Sequence, residues 1–142
     1  MDERPEQVLG LDYGTRKIGL ASGQVITGSA TALPALACRD GAPDWQALAR
    51  VISEWRPQAL VVGLPLNMDD SESELSARAR RFARQLEGRF DLPVWLVDER
   101  LSTREARDRL GERYRGGPDP RVDSEAAVLM IEGFYRDGGE RP

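Results

Sequence analysis

Two short apolar runs constrain the fold of this chain more than any other feature. Ala59-Leu60-Val61-Val62-Gly63 and Pro93-Val94-Trp95-Leu96-Val97 carry no polar residue, and a strand without a polar face has to be covered on both sides. Each run follows a helical pattern, so the chain reaches it by a crossover and the two strands lie parallel. Asp44–Trp55 places Trp45, Leu48, Ile52 and Trp55 on one helical stripe, with Asp44 as N-cap. A second helix, from about Glu74 to Glu87, has Leu75, Ala79, Phe82, Ala83 and Leu86 as its apolar stripe and Gly88 as its stop signal.

Upstream, Val8–Asp12 and Lys17–Gly23 form a hairpin across a short Gly-containing turn, and Val25–Leu36 is a third strand ended near Pro34. Downstream, Ser102 and Glu105 make a capping box opening a helix to about Leu110, 111–121 is a charged Gly/Pro-rich loop, and a last helix covers about Asp123–Tyr135. This order predicts an α/β fold: a mixed five-stranded sheet, antiparallel meander plus parallel strands, flanked by helices. The 142 residues fit one domain, 1–142, with 1–6 and 138–142 as flexible tails.

Histidine is absent, which removes Ser-His-Asp and Cys-His triads, HExxH sites and Cys/His zinc fingers. The one cysteine, Cys38, cannot form an internal disulfide, MDERPEQ has no apolar leader, and no run approaches a membrane span. Those features predict a cytoplasmic protein without membrane contact. A metal, if used, would be hard and oxygen-bound, Mg²⁺ or Mn²⁺ before Zn²⁺.

Net charge is −4, yet the cations are unevenly spread. Lys17 is the only lysine, and arginines crowd the second half, among them Arg78, Arg80, Arg81, Arg84 and Arg100. Arginine's planar fork suits phosphate contacts, although a solvated helix face would look the same.

The sharper signal lies in three acids. Asp12 ends an apolar strand, Glu99 follows the last strand, and Asp123 opens the last helix. Ligands of open α/β sheets gather at the carboxyl ends of parallel strands. Three carboxylates meeting there would resist full ionisation unless they shared a cation. A pair of divalent ions about 4 Å apart is the arrangement that activates water and stabilises a leaving oxygen in phosphodiester cleavage. Taken singly, each acid has a plainer explanation: a turn former, a surface charge, an N-cap.

Four blocks carry a family resemblance: LDYGTRKIGLASG, VVGLPLNMDDSESELSARARRFARQLEGRF, VDERLSTREAR and VDSEAAVLMIEGFY. In order, they resemble the blocks of the YqgF family, also called RuvX, over about residues 7–137. The resemblance implies a ribonuclease H-like fold related to the junction resolvase RuvC, and a role in maturing the 5′ end of 16S rRNA. It implies that Asp12, Glu99 and Asp123 are catalytic and hold Mg²⁺ or Mn²⁺. Thr15 and Asn67 would touch the scissile strand, Arg100 would neutralise a phosphate, and Arg78, Arg81 and Arg84 would guide the flanking backbone. Where the family shows Met-Asp-Gly, this chain has Met68-Asp69-Asp70.

The expected partner is nucleic acid: precursor rRNA, or branched DNA for a Holliday junction resolvase, with ribosomal particles as a further partner. A junction resolvase should be a firm dimer, and no long exposed apolar helix advertises such an interface, so a monomer or weak homodimer is expected. Two other classes remain: a non-catalytic binding factor in ribosome assembly or transcription, and, because Asp12-Tyr-Gly-Thr15 also resembles their phosphate loop, an actin-like ATPase or sugar kinase. The second needs two such domains, and this chain supplies one.

Overall fold

Every second residue of the first strand, β1 (Gln7–Asp12), faces a different layer. Leu9 and Leu11 enter one apolar cluster and Val8 the other, as the two-residue period of a doubly covered strand requires. The coordinates are a computed structural model describing residues 6–14, 16–24, 26–65, 71–98 and 124–142. The remaining strands are β2 (Lys17–Gln24), β3 (Ser29–Arg39), β4 (Ala42–Pro43), β5 (Ala59–Leu64) and β6 (Val94–Asp98). The helices are α1 (Trp45–Trp55), α2 (Glu74–Phe90) and α3 (Glu125–Asp137).

The sheet order is β4-β3-β2-β1-β5-β6. β1 pairs antiparallel with β2 and parallel with β5, and β5 pairs parallel with β6. This is the predicted mixed sheet with one strand more than the expected five, because Ala42 and Pro43 fold back on Arg39 and Cys38. A turn at Asp40 and Gly41, both at positive φ (49° and 81°), makes that reversal.

β3 also runs on through Pro34, where the sequence predicts an end. Leu20 pairs with Leu33 and Ile18 with Leu36, so the register shifts between them. Pro34 lies in that bulge, where a missing N–H removes no ladder bond.

α1 and α2 cover the face of Leu9, Leu11, Leu60 and Val62, while α3 covers the face of Val8, Ala21, Ala59 and Val61. Asp44 caps α1 as predicted, accepting the backbone N–H groups of Gln46 and Ala47 at 3.1 Å each. α2 differs from its predicted stripe at one end. Leu75 is exposed and Ser76 is buried in its place, because the Ser76 hydroxyl donates to the Pro65 carbonyl and completes a capping box with Ser73. The helix also passes Gly88 and stops at Asp91, in the left-handed conformation at φ 53°.

Beneath α3 the sheet carries glycine. A Cβ on Gly10 would lie 2.8 Å from Ile131 Cγ1, and one on Gly23 would lie 2.5 Å from Ile131 Cγ2. The helix therefore settles closer to β1 and β2 than any side chain there would allow.

The segment after α3, expected as a flexible tail, is paired instead. Glu140 exchanges two backbone hydrogen bonds with Leu96 of β6, at 2.7 and 2.9 Å. Its carboxylate meets Arg80 at 3.0 Å, and Arg141 meets Glu87 at 2.6 Å. Among the described residues no helix is long and apolar enough to cross a membrane.

Candidate active site

β1, β5 and β6 run parallel, so their carboxyl ends share one edge of the sheet. Leu11 pairs with Val62, Gly63 with Val97 and Leu64 with Asp98, which brings Asp12 and Asp98 to that edge. Asp12 is part-buried. By alternation it belongs, with Val8 and Gly10, to the set of positions on the α3 side of the sheet.

α3 begins at the same place. The Ser124 hydroxyl is fully buried; it accepts the Leu20 N–H at 2.9 Å and donates to the Leu33 carbonyl at 2.5 Å. Leu20 is paired with Leu11 and its neighbour Gly19 with Asp12. The start of α3 is thus fastened one residue along the ladder from Asp12.

Of the expected site residues, Asp12, Arg78, Arg81 and Arg84 are described. Thr15, Asn67, Glu99, Arg100 and Asp123 lie outside the described residues, as do Asp70, the predicted helix near 102–110 and the loop at 111–121. Among the described residues no three His, Cys, Asp or Glu side chains form a metal-binding group. Asp12 offers this edge a hard carboxylate oxygen, the chemistry that suits Mg²⁺ or Mn²⁺, whereas Asp98 belongs by alternation with Val94 and Leu96 to the α1 and α2 side of the sheet.

The arginines of α2 divide by role. Arg78 donates to the Asp40 carbonyl at 2.8 Å and lies 3.7 Å from its carboxylate, so it braces the β3–β4 turn. Tyr13, next to Asp12, donates to the Gly41 carbonyl at 3.1 Å and completes that brace. Arg80 joins Glu72 at 2.6 Å and Glu140; its hydrogen bond to Glu72 raises an already high pKa. Arg81 and Arg84 are exposed. Cys38 is no candidate nucleophile, since burial pushes its thiol above the ordinary value.

The family model for RuvX, described as Holliday junction resolvase, matches residues 6–137. The chain belongs to the RuvX family. A relative from Alcanivorax borkumensis, named "Putative pre-16S rRNA nuclease", is 57% identical over 128 residues, covering 90% of this chain and 94% of the relative. One from Salmonella dublin with the same name is 50% identical over 135 residues, covering 94% and 98%. Among solved structures, T. thermophilus RuvC in complex with a Holliday junction substrate aligns with TM-score 0.52 at 17% identity, covering 96% of this chain and 99% of that one. The yeast mitochondrial Holliday junction resolvase Ydc2 aligns at 0.50 and 8% identity, covering 91% and 77%. The fold is the ribonuclease H-like one. In this RuvX-family chain, sequence reasoning missed Ser124 and Tyr13. The available signals were a small hydroxyl directly before an apolar helix stripe and an aromatic ring beside the strand-ending aspartate.

Proposed function

We propose that the chain is a metal-dependent nuclease that hydrolyses phosphodiester bonds, with 5′-end processing of precursor 16S rRNA in the cytoplasm as its task. Support comes first from the RuvX family match over residues 6–137, together with relatives named for that activity. It comes next from the part-buried Asp12 at the carboxyl edge of the sheet.

In this proposal Asp12, Glu99 and Asp123 hold one or two Mg²⁺ or Mn²⁺ ions. When bound, such ions lower the pKa of a water and stabilise the departing oxygen. Asp12 contributes a carboxylate fixed by the central strand of the sheet, whose backbone is paired on both sides. Ser124 holds the helix start that follows Asp123 against β2 and β3. Thr15 and Asn67 orient the scissile strand, Arg100 meets a phosphate, and Arg81 and Arg84 steer the flanking backbone.

The test is cleavage of precursor 16S rRNA and of a synthetic four-way junction over a Mg²⁺ and Mn²⁺ titration, beside a folded Asp12→Asn protein. The expected result is metal-dependent cleavage of the RNA. Asp12→Asn should slow it by at least about 10²-fold, the scale of losing one electrostatic stabiliser of a transition state. Equal cleavage by the two proteins would end the mechanism. A second reading, resolution of Holliday junctions, is favoured by the family model, which is that of a Holliday junction resolvase. It predicts junction cleavage by a dimer, whereas the RNA reading predicts a monomer or weak homodimer. Full biological rescue by the Asp12→Asn protein would instead favour a non-catalytic factor in ribosome assembly.

A further inference from the structure

Between α2 and the β3–β4 turn lies a cavity of about 180 Å³. Tyr13 and Gly41 wall it on one side, Trp45 and Phe82 at the base, and Arg81 and Gln85 on the helix. We propose that it receives one unpaired nucleotide of the strand running to the acidic edge. The base enters the cavity, and its flanking phosphate rests on Arg81. This rests on the nuclease reading and adds a binding subsite to it.

Position comes first. The α2 start is tied to the end of β5 through Ser76 and Pro65, so the first turns of α2 stand beside the carboxyl edge. Tyr13, in the cavity wall, directly follows Asp12. Tyr13 turns to the α1 and α2 side of the sheet while Asp12 belongs to the α3 side, so a strand crossing Asp12 rounds their shared carboxyl edge to reach the cavity.

Charge comes second. α2 carries Arg78, Arg80, Arg81, Arg84 and Arg89 against Glu74 and Glu87, in a chain of net charge −4. Arg78 is engaged by Asp40, Arg80 by Glu72 and Glu140, and the Arg89 guanidinium lies 4.0 Å over the Trp45 ring. Among the described residues nothing pairs with Arg81, which is exposed and lines the cavity. Arg84 is exposed as well but does not line the cavity, so Arg81 is the uncommitted cation placed there for a phosphate.

Shape comes third. The cavity is smaller than the ~300 Å³ at which pockets for drug-sized ligands begin, and it suits a single planar ring system. Its wall is rigid. The Tyr13 hydroxyl and the Arg78 guanidinium both press on Gly41, where a Cβ would lie 2.5 Å from the tyrosine oxygen. The Gln85 amide has no hydrogen-bond partner among the described residues and offers both a donor and an acceptor to a base edge. The rings of Tyr13, Trp45 and Phe82 in the lining supply planar surface. A base held in a duplex could not enter, so the subsite selects single strands.

The test measures equilibrium binding of a short unstructured labelled oligonucleotide, as RNA, as DNA and as the matching duplex, in the uncut Asp12→Asn background. Arg81→Ala and Gln85→Leu are compared with Arg136→Ala, an exposed cation on α3, after thermal melts confirm that each variant is folded. Both cavity variants should weaken single-strand binding by about tenfold. Arg81→Ala should also lower the slope of log affinity against log salt by about 0.7. Loss on RNA and DNA alike indicates contacts to base and phosphate alone; a larger loss on RNA adds a contact to the 2′-hydroxyl. Single-strand affinities within twofold of the background, or an equal loss on the duplex, would overturn the subsite. If Arg81 governs binding while the wild-type chain cuts nothing, the nuclease reading falls and the subsite stands.

Discussion

The Ser124 hydroxyl stands inside the β2–β3 ladder at Leu20, accepting its N–H at 2.9 Å and passing a hydrogen bond to the Leu33 carbonyl at 2.5 Å. A side chain from the helix layer thus replaces a direct strand-to-strand bond, next to the bulge that holds Pro34.

Ser124→Ala should leave that N–H and that carbonyl buried without partners. An unsatisfied buried group costs about 1–3 kcal/mol, so urea denaturation should show a loss on that scale. Ser124→Thr keeps the hydroxyl but adds a methyl at a site with no exposure; its loss should be smaller.

Gly10→Ala should destabilise by about 1–3 kcal/mol, the range for overpacking, since the added methyl meets Ile131 and the Ala127 carbonyl. Ile131→Val removes one of the offending atoms. In a double-mutant cycle, the pair should therefore cost less than the sum of the single changes.

Removing residues 139–142 should uncover the outer edge of β6, where Leu96 now pairs with Glu140. An unpaired edge invites pairing with another chain, so light scattering should report concentration-dependent association. Arg80→Ala should do less. It loses exposed ion pairs alone, each worth about 0–1 kcal/mol.

Burial pushes the Tyr135 phenol up to about 12, from about 10 in an unfolded chain. Folding therefore holds this proton more tightly than the unfolded chain does. The contribution is complete below pH ~10 and is lost as pH rises to ~12. Tyr135→Phe should flatten the alkaline decline in denaturation midpoint across that interval and leave the neutral region's slope unchanged.

The sheet was legible wherever local chemistry decides the outcome. Leu60, Val61 and Val62 announce a doubly covered strand, and Asp44 caps α1 through its own carboxylate. The course of β3 was hidden because Pro34 ordinarily ends a strand, and only its partner strand, through the bulge, makes room for it. The exchange of Leu75 for Ser76 in the core depends on the Pro65 carbonyl, eleven residues away. Pairing of Glu140 with Leu96 joins segments that no periodicity links. At the site, Asp12 could be singled out because an acid closes an apolar run. Arg78 resembled its neighbours on α2, and its commitment to Asp40 depends on a turn thirty-eight residues away.

The place of β1 between an antiparallel and a parallel neighbour has a consequence for the order of assembly. Its pairing with β2 needs only a tight local reversal, whereas pairing with β5 must wait until roughly fifty intervening residues have been made and arranged. Early in folding the Asp12 carboxylate ends an open ribbon, still in contact with water. Its partial burial needs the parallel neighbour in place, so contact order puts the desolvation of this acid after the closing of the hairpin.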